Sequence, residues 1–452
     1  MTFTRTAFAL ALAFADDPPQ PTNVLFIVID TLRADRLGCY GCPRATSPCI
    51  DRFAASATRF ERAFTAWPET CESMAAMLSG TWCQTNGVVV ATPQAIAPEL
   101  ELLPETLAAA GWRTAAFVMN DVLARRNQFD QGIERYVEVY LDQDNPGRAN
   151  ETQLARAWLR ENGSQRFFLW VHYVEPHAPY SPIIPDRFVA DPWYDPARRV
   201  EVRTPARRLE PLGGIPGISA IEGHDELAYY LARYDSEIVD VDAKVGLLLR
   251  ELDLLGLNDR TIVVLVSDHG EGFGEHDYFW HGLVPYDETA HVPLLVRAPG
   301  RKPGVAGDVV STIDVAPTLL ELLGLPRAPL HEGRSLVPLL DDPTLQSDRL
   351  VFTESGRDPD GWQRSVRDRR FKLVQVRSAA EREKLHLDEW TLFDLVADPA
   401  ETRNVIADHP DVAKRLEDAL AAWTREQPLF RAPPSDLSPE EAERVRQLGY
   451  GE

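Results

Sequence analysis

Residues 24–31 read VLFIVIDT. Six apolar residues run without a polar interruption, and a carboxylate follows at Asp30. An unbroken apolar run of that length fits a strand buried on both faces, as in parallel sheets. Similar runs recur at Ala115–Met119, Phe167–Val171, Ile262–Val266 and Pro293–Val296. Helical patterns lie between them, at Ser47–Ser56, Ser73–Leu78, Leu103–Ala110 and Glu226–Leu255, the last stopped by Gly256. Strands alternating with helices predict an α/β fold. Its core is a large doubly wound, mainly parallel sheet sandwiched by helices.

The residues just beyond the strands carry the chemistry. The first strand delivers Asp30. The run IVVLV delivers Ser267-Asp268-His269, and FFLWV delivers His172, Glu175 and His177. Ligands of open α/β sheets bind outside the carboxyl ends of the strands. Carboxylates and imidazoles from three strands therefore converge on one edge. Asp30, Asp268 and His269 form a candidate metal set, with two hard oxygens and one imidazole suiting Ca, Zn or Mn. A lone Asp at a strand end is as readily a helix cap or turn former. Three such groups at two strand ends are harder to explain that way.

The segment TAWPETCESMAAMLSG, residues 65–80, places Thr70 and Cys71 at the mouth of a helix. Oriented N–H groups there favour a bound anion. Thr70 has two readings, as a helix cap and as a nucleophile. A nucleophilic hydroxyl needs activation, and coordination supplies it by depressing the pKa of a bound oxygen, so Thr70 joins Asp30, Asp268 and His269 as a candidate metal ligand. His177 and His281 are candidates for contacting the anion or protonating a leaving group, ahead of His172 and His276. Glu175, His177 and His281 are the groups for a second cation.

The chain has 452 residues and a net charge of −22, which argues against a nucleic-acid partner. No apolar run is long enough for a membrane span. Residues 1–15, MTFTRTAFALALAFA, have the form of an export signal, which predicts a periplasmic or extracellular protein. The five cysteines, Cys39, Cys42, Cys49, Cys71 and Cys83, lie in the first fifth of the chain, and their odd number leaves at least one thiol unpaired. Cys39 and Cys42 have redox-motif spacing but do not open onto a helix as a thioredoxin-like pair does. Residues 180–224 form a long Pro- and Arg-rich stretch with Arg198, Arg199, Arg203, Arg207 and Arg208. It is either a solvated loop or a lid facing an anionic substrate. Beyond about residue 340, short strands and two helical segments predict a smaller antiparallel α+β unit. The expected division is 22–340 for a catalytic domain and 341–452 for the C-terminal unit.

At these residues the chain resembles the sulfatase family, within the alkaline phosphatase superfamily, over roughly residues 22 to 450. NVLFIVIDTLRADRLGCYG is similar to the family's first strand and metal loop, and MAAMLSG to the helix after its nucleophile. FFLWVHYVEPHAPY, IVVLVSDHGEGFGEH, YDETAHVPLLVRAPG, LFDLVADPAETRNV and RQLGY resemble later segments in the family's order. The resemblance implies an alkaline-phosphatase-like fold and a metal-dependent hydrolase of sulfate or phosphate esters, small-molecule or glycan. It implies that Asp30, Asp268 and His269 bind the metal, that His177 contacts the substrate anion, and that His281 lies near the leaving group.

The departures are informative. Thr31 stands where the family has a second aspartate. The family's nucleophile is a Cys or Ser that becomes formylglycine; its spacing from Gly80 falls on Thr70, and threonine has no route to formylglycine. Cys71 has Ser73 and Ala75 where the motif requires Pro and Arg, so it reads as a packing residue or a disulfide partner of Cys83. The family's basic pair after GWRTAAF is replaced by VMND. Threonine nucleophiles in phosphodiesterase-like branches tilt the expectation toward phosphate esters. The alternative is a non-catalytic relative that binds sulfated or phosphorylated glycans.

Overall fold

In a computed structural model of the chain, residues 22–89, 94–142, 149–185, 187–204, 210–356, 362–425 and 428–449 are described. The proposed export signal and Arg207 and Arg208 lie outside them.

The strands are β1 (Asn23–Ile29), β2 (Thr58–Phe64), β3 (Arg113–Val118), β4 (Arg135–Glu138), β5 (Phe167–Tyr173), β6 (Glu201–Val202), β7 (Gly214–Ile215), β8 (Thr261–Ser267), β9 (His291–Arg297), β10 (Gly304–Ser311), β11 (Val351–Ser355), β12 (Gln363–Arg367), β13 (Phe371–Val376) and β14 (Trp390–Asp394). Eight of them form one sheet in the order β10-β2-β9-β8-β1-β5-β3-β4. All its pairings are parallel except those of β9, which is antiparallel to both neighbours. This is the doubly wound, mainly parallel sheet that the apolar runs predict.

The central position of β1, between β5 and β8, explains its composition. Every residue of β1, β5 and β8 is buried, and two apolar layers flank the sheet. One contains the helices Thr70–Ser79 and Val315–Leu322, the other Glu151–Asn162 and Leu227–Leu254. Burial of that extent is the dominant favourable term in folding.

A separate antiparallel sheet, β11-β12-β13-β14, lies in the C-terminal part of the chain. The helix Pro410–Trp423 packs on it through Leu416 and Leu420 against Val366, Leu373 and Leu392. No described helix is long and apolar enough to cross a membrane.

Candidate active site

The carboxyl ends of β1, β5 and β8 deliver Asp30, His172 and Asp268-His269 to one buried centre. Asp30, Asp268 and His269 are fully buried, with ligand atoms within 4.8 Å of one another. The turn after β1 is held by β8: the Thr31 N–H donates to Asp268 Oδ1 at 3.2 Å and the Leu32 N–H to Ser267 Oγ at 2.9 Å. Thr31 has φ +51°, unusual for a β-branched residue. Its carbonyl accepts from Tyr234 Oη at 2.6 Å, which fixes this conformation from the opposite side.

Thr70 is the first residue of the helix Thr70–Ser79, and Glu69 occupies the N-cap position. Its hydroxyl lies 3.2 Å from His269 Nε2 and 3.4 Å from each oxygen of Asp30. The threonine thus faces the carboxylate–imidazole cluster. Ser73, one turn on, donates to the Asp268 carbonyl at 2.7 Å and locks the helix to the end of β8. Gly80 ends the helix in the left-handed conformation, φ +64°.

Each of the three histidines is anchored through Nδ1. His269 Nδ1 is 2.9 Å from the Gly270 carbonyl, His177 Nδ1 is 2.6 Å from the Ala178 carbonyl, and His281 Nδ1 is 3.2 Å from Glu271 Oε1. A carbonyl only accepts, so Nδ1 carries the proton in His269 and His177. Nε2 is then the nitrogen of each ring left to take a proton or a cation. Ring centroids lie 4.4 Å apart for His269 and His281 and 5.2 Å apart for His177 and His281. The sequence-predicted residues Asp30, Thr70, His177, Asp268, His269 and His281 therefore gather in one place.

The electrostatics favour a bound cation. Burial opposes ionisation of Asp30, but the His172, His177 and His269 imidazoles outweigh it and hold its carboxyl down to about 2. Burial and the Asp30 charge push Asp268 the other way, upward. Two adjacent buried carboxylates resist double ionisation unless positive charge joins them. Asp268 Oδ2 has no hydrogen-bond partner among the described residues. The donor set fits a divalent cation, which would find an oxygen without a hydrogen-bond partner and would relieve the repulsion.

Asn120 carries no signal in the sequence beyond replacing an expected basic residue. It lies two residues beyond β3 and donates through Nδ2 to Asp30 Oδ2 at 2.6 Å. Glu271 is likewise unmarked by any spacing; it is fully buried, and burial raises its carboxyl well above the usual range. Gly282, φ +92°, follows His281 and meets the Glu69 carboxyl so closely that a Cβ would stand 2.2 Å from Glu69 Oε1. That contact sets the His281 loop against the start of the Thr70 helix. Trp280 stacks on His281, with centroids 4.5 Å apart, and the backbone at Gly449 rests on the Trp280 ring.

Other expectations resolve differently. All five cysteines are free thiols, so Cys71 and Cys83 are not bridged. Each thiol finds a carbonyl instead, at 3.6 Å: Gln94 for Cys71, Glu72 for Cys83. Burial pushes both well above the ordinary thiol range, which makes them packing residues. Glu175 is paired with Lys244, and no second metal-competent cluster occurs among the described residues. His276 bonds Glu288 at 2.7 Å and stacks on Tyr286, in a structural role. Arg198 donates to the Gly274 carbonyl at 2.9 Å and Arg199 pairs with Asp225 at 3.1 Å, as anchors of the long loop.

Residues 22–325 match the family model described as Sulfatase. The chain belongs to the sulfatase family. As a member it is a hydrolase acting on ester bonds. Residues 274–426 match a second model, N-sulphoglucosamine sulphohydrolase, C-terminal. Curated relatives include an ulvan-active sulfatase of Formosa agariphila, 27% identical and covering 86% of this chain and 78% of the relative. Human arylsulfatase K is 25% identical, covering 88% of this chain and 81% of the relative. The fold matches a solved structure in complex with its substrate D-glucosamine-2-N,6-O-disulfate, with TM-score 0.75, 20% identity, and coverage of 89% and 97%. It also matches a phosphonate monoester hydrolase from Silicibacter pomeroyi, with TM-score 0.71, 24% identity, and coverage of 89% and 94%.

Proposed function

We propose that this sulfatase-family chain hydrolyses sulfate or phosphate esters with Thr70 as its nucleophile in place of formylglycine. The observation that carries the reading is the Thr70 hydroxyl, buried and within 3.4 Å of both Asp30 and His269 at a helix N-terminus. Asp30, Asp268 and His269 would hold one divalent cation. When bound, it would neutralise negative charge on the ester and make an alkoxide at Thr70 attainable.

The chain's own groups supply the rest. Thr70, its proton given up to solvent, attacks the sulfur or phosphorus through Oγ1, and the bond to the alcohol oxygen breaks. His281, steadied by Glu271, protonates the departing alkoxide. His177 hydrogen-bonds the anion. Water then attacks the sulfo- or phospho-threonine as His281 takes one of its protons; the bond to Thr70 Oγ1 breaks, and the second water proton passes from the released anion to Oγ1 and restores the hydroxyl. Two easier steps replace one difficult displacement. A cavity of about 370 Å³ adjoins His177 and is lined also by Tyr140, Asp121 and Arg444. It is the natural place for the alcohol portion of the ester.

A panel of aryl sulfate, phosphomonoester and phosphodiester substrates, each with several divalent metals, tests the reading. Turnover with at least one class is expected, and Thr70→Ala should lower kcat by at least about a thousandfold while the protein stays folded. Undiminished turnover in that variant would refute the assignment. Absence of turnover with every class, alongside binding of sulfated glycans, would favour the non-catalytic alternative.

A further inference from the structure

A second cavity, of about 710 Å³, opens against the C-terminal sheet. Its lining includes Trp362, Arg364, Gln375, Arg377, Trp390 and Arg425. The strand register explains how they meet. Arg364 stands opposite Gln375, and Gln375 opposite Trp390, so the three form one row across β12, β13 and β14. Trp362 and Arg377, each one residue beyond the end of its strand and two from this row, line the same cavity.

The neighbouring row on that face, Val366, Leu373 and Leu392, is apolar and covered by the helix Pro410–Trp423. The face thus changes from apolar and covered to polar, aromatic and open within one step. Packing of the helix accounts for the first row only.

The charge is also local. The whole chain carries −22, yet the lining holds three arginines against one glutamate. Arg364 is tied to Glu354 at 3.0 Å, and Arg425 to Glu332 at 3.3 Å. Arg377 is exposed and forms no ion pair among the described residues. One guanidinium is therefore available to an incoming anion, with the fork geometry that suits a sulfate or carboxylate. Trp390 and Trp362 supply flat apolar surfaces of the kind that cover the C–H face of a sugar ring. Gln375 offers both a donor and an acceptor for hydroxyls.

We propose that this cavity is a binding site for an anionic saccharide, with the acidic group on Arg377 and the sugar ring against Trp390. Its lining shares no residue with the ester-cleaving centre, and only the choice of a sulfated probe rests on the proposed function. It also touches the nucleophile segment: Trp362 stands edge-on to Trp67, with centroids 5.9 Å apart, and Trp67 is three residues before Thr70. A polymeric substrate held here would be gripped beside the segment that carries the nucleophile.

The test uses full-length Thr70→Ala protein, to prevent cleavage, titrated with a heparin-derived hexasaccharide by calorimetry and tryptophan fluorescence. Saturable binding is expected, weakened about tenfold or more by Arg377→Ser or by Trp390→Ala, as for loss of one charge-assisted contact or one stacked face. Neutral maltohexaose should not bind. Equal affinity in parent and both variants, or equal binding of maltohexaose, would overturn the proposal. The same two substitutions in the Thr70 protein should leave turnover of a small aryl ester unchanged. If no ester is turned over while hexasaccharide binding still depends on Arg377, the nucleophile assignment fails and the saccharide site stands.

Discussion

Glu271 Oε1 and His281 Nδ1 face each other at 3.2 Å, both side chains fully buried. This pairing orients the imidazole proposed to serve the leaving group. His281→Ala should lower kcat by about 10²- to 10⁴-fold, the usual range for a general acid. Glu271→Gln keeps the shape and loses the ionisable group. We expect it to lower kcat about 10- to 100-fold with little change in KM, as for loss of an orienting partner, and to alter the pH profile of kcat. A profile and rate identical to the parent would show that Glu271 only packs.

Asn120 donates to Asp30, one of the three proposed metal ligands. Asn120→Ala removes a hydrogen bond to a charged group, of the class worth about 1.5–3 kcal/mol. Affinity for the divalent cation, followed by calorimetry against a chelator, should fall about 10- to 100-fold. Asp268→Asn should weaken it further, because a carboxylate ligand is lost.

Metal removal should also register in stability. A cation that binds only the folded chain adds about 2.7 kcal/mol at a hundredfold excess over Kd. Thermal unfolding with EDTA should therefore occur at lower temperature than with added metal. In Asp268→Asn this difference should shrink towards zero.

Glu401 gives a pH prediction far from that centre. It is fully buried, and burial raises its carboxyl to about 7, against the attraction of Lys372 at 2.7 Å. The repulsion of Asp287 and Glu288 adds to the rise, and His276 bonds the Glu401 carbonyl at 3.3 Å. In the unfolded chain a glutamate titrates near about 4.3. Between those values the folded chain holds the extra proton, so stability falls as pH rises and levels off above about 7. Urea midpoints at pH 5 and pH 8 should differ less in Glu401→Gln than in the parent.

Cys71 adjoins the proposed nucleophile Thr70 in sequence but differs from it in environment. Its thiol is buried and held well above its ordinary pKa. Cys71→Ala should retain turnover within about twofold and cost about 1 kcal/mol of stability, near the value of one buried methylene. Thiol-specific alkylation of the native protein should likewise leave activity intact.

Most of the large sheet is legible because β1, β5 and β8 are buried on both faces and so carry uninterrupted apolar runs. β2 is not legible in that way. Its sequence TRFERAF interleaves Arg59, Glu61 and Arg62, which are partly exposed, although the strand lies between β10 and β9. β4 is a four-residue edge strand with only Tyr136 well buried, so it leaves little pattern.

The linear order of residues suffices to put Asp30, Asp268 and His269 on one edge, because parallel strands align their carboxyl ends. The resemblance to the sulfatase family, through its motif spacing, further points to Thr70 rather than Cys71 as the candidate nucleophile. Folding alone settles what those residues do to one another. The Thr70 hydroxyl meets Asp30 across 40 residues and His269 across 199. The Asn120 amide meets Asp30 across 90. Hydrogen bonds of that span leave no periodicity in the chain. Which nitrogen of each histidine bears the proton, and which carboxylate keeps its charge, depends on burial and near neighbours, and only the folded chain creates those.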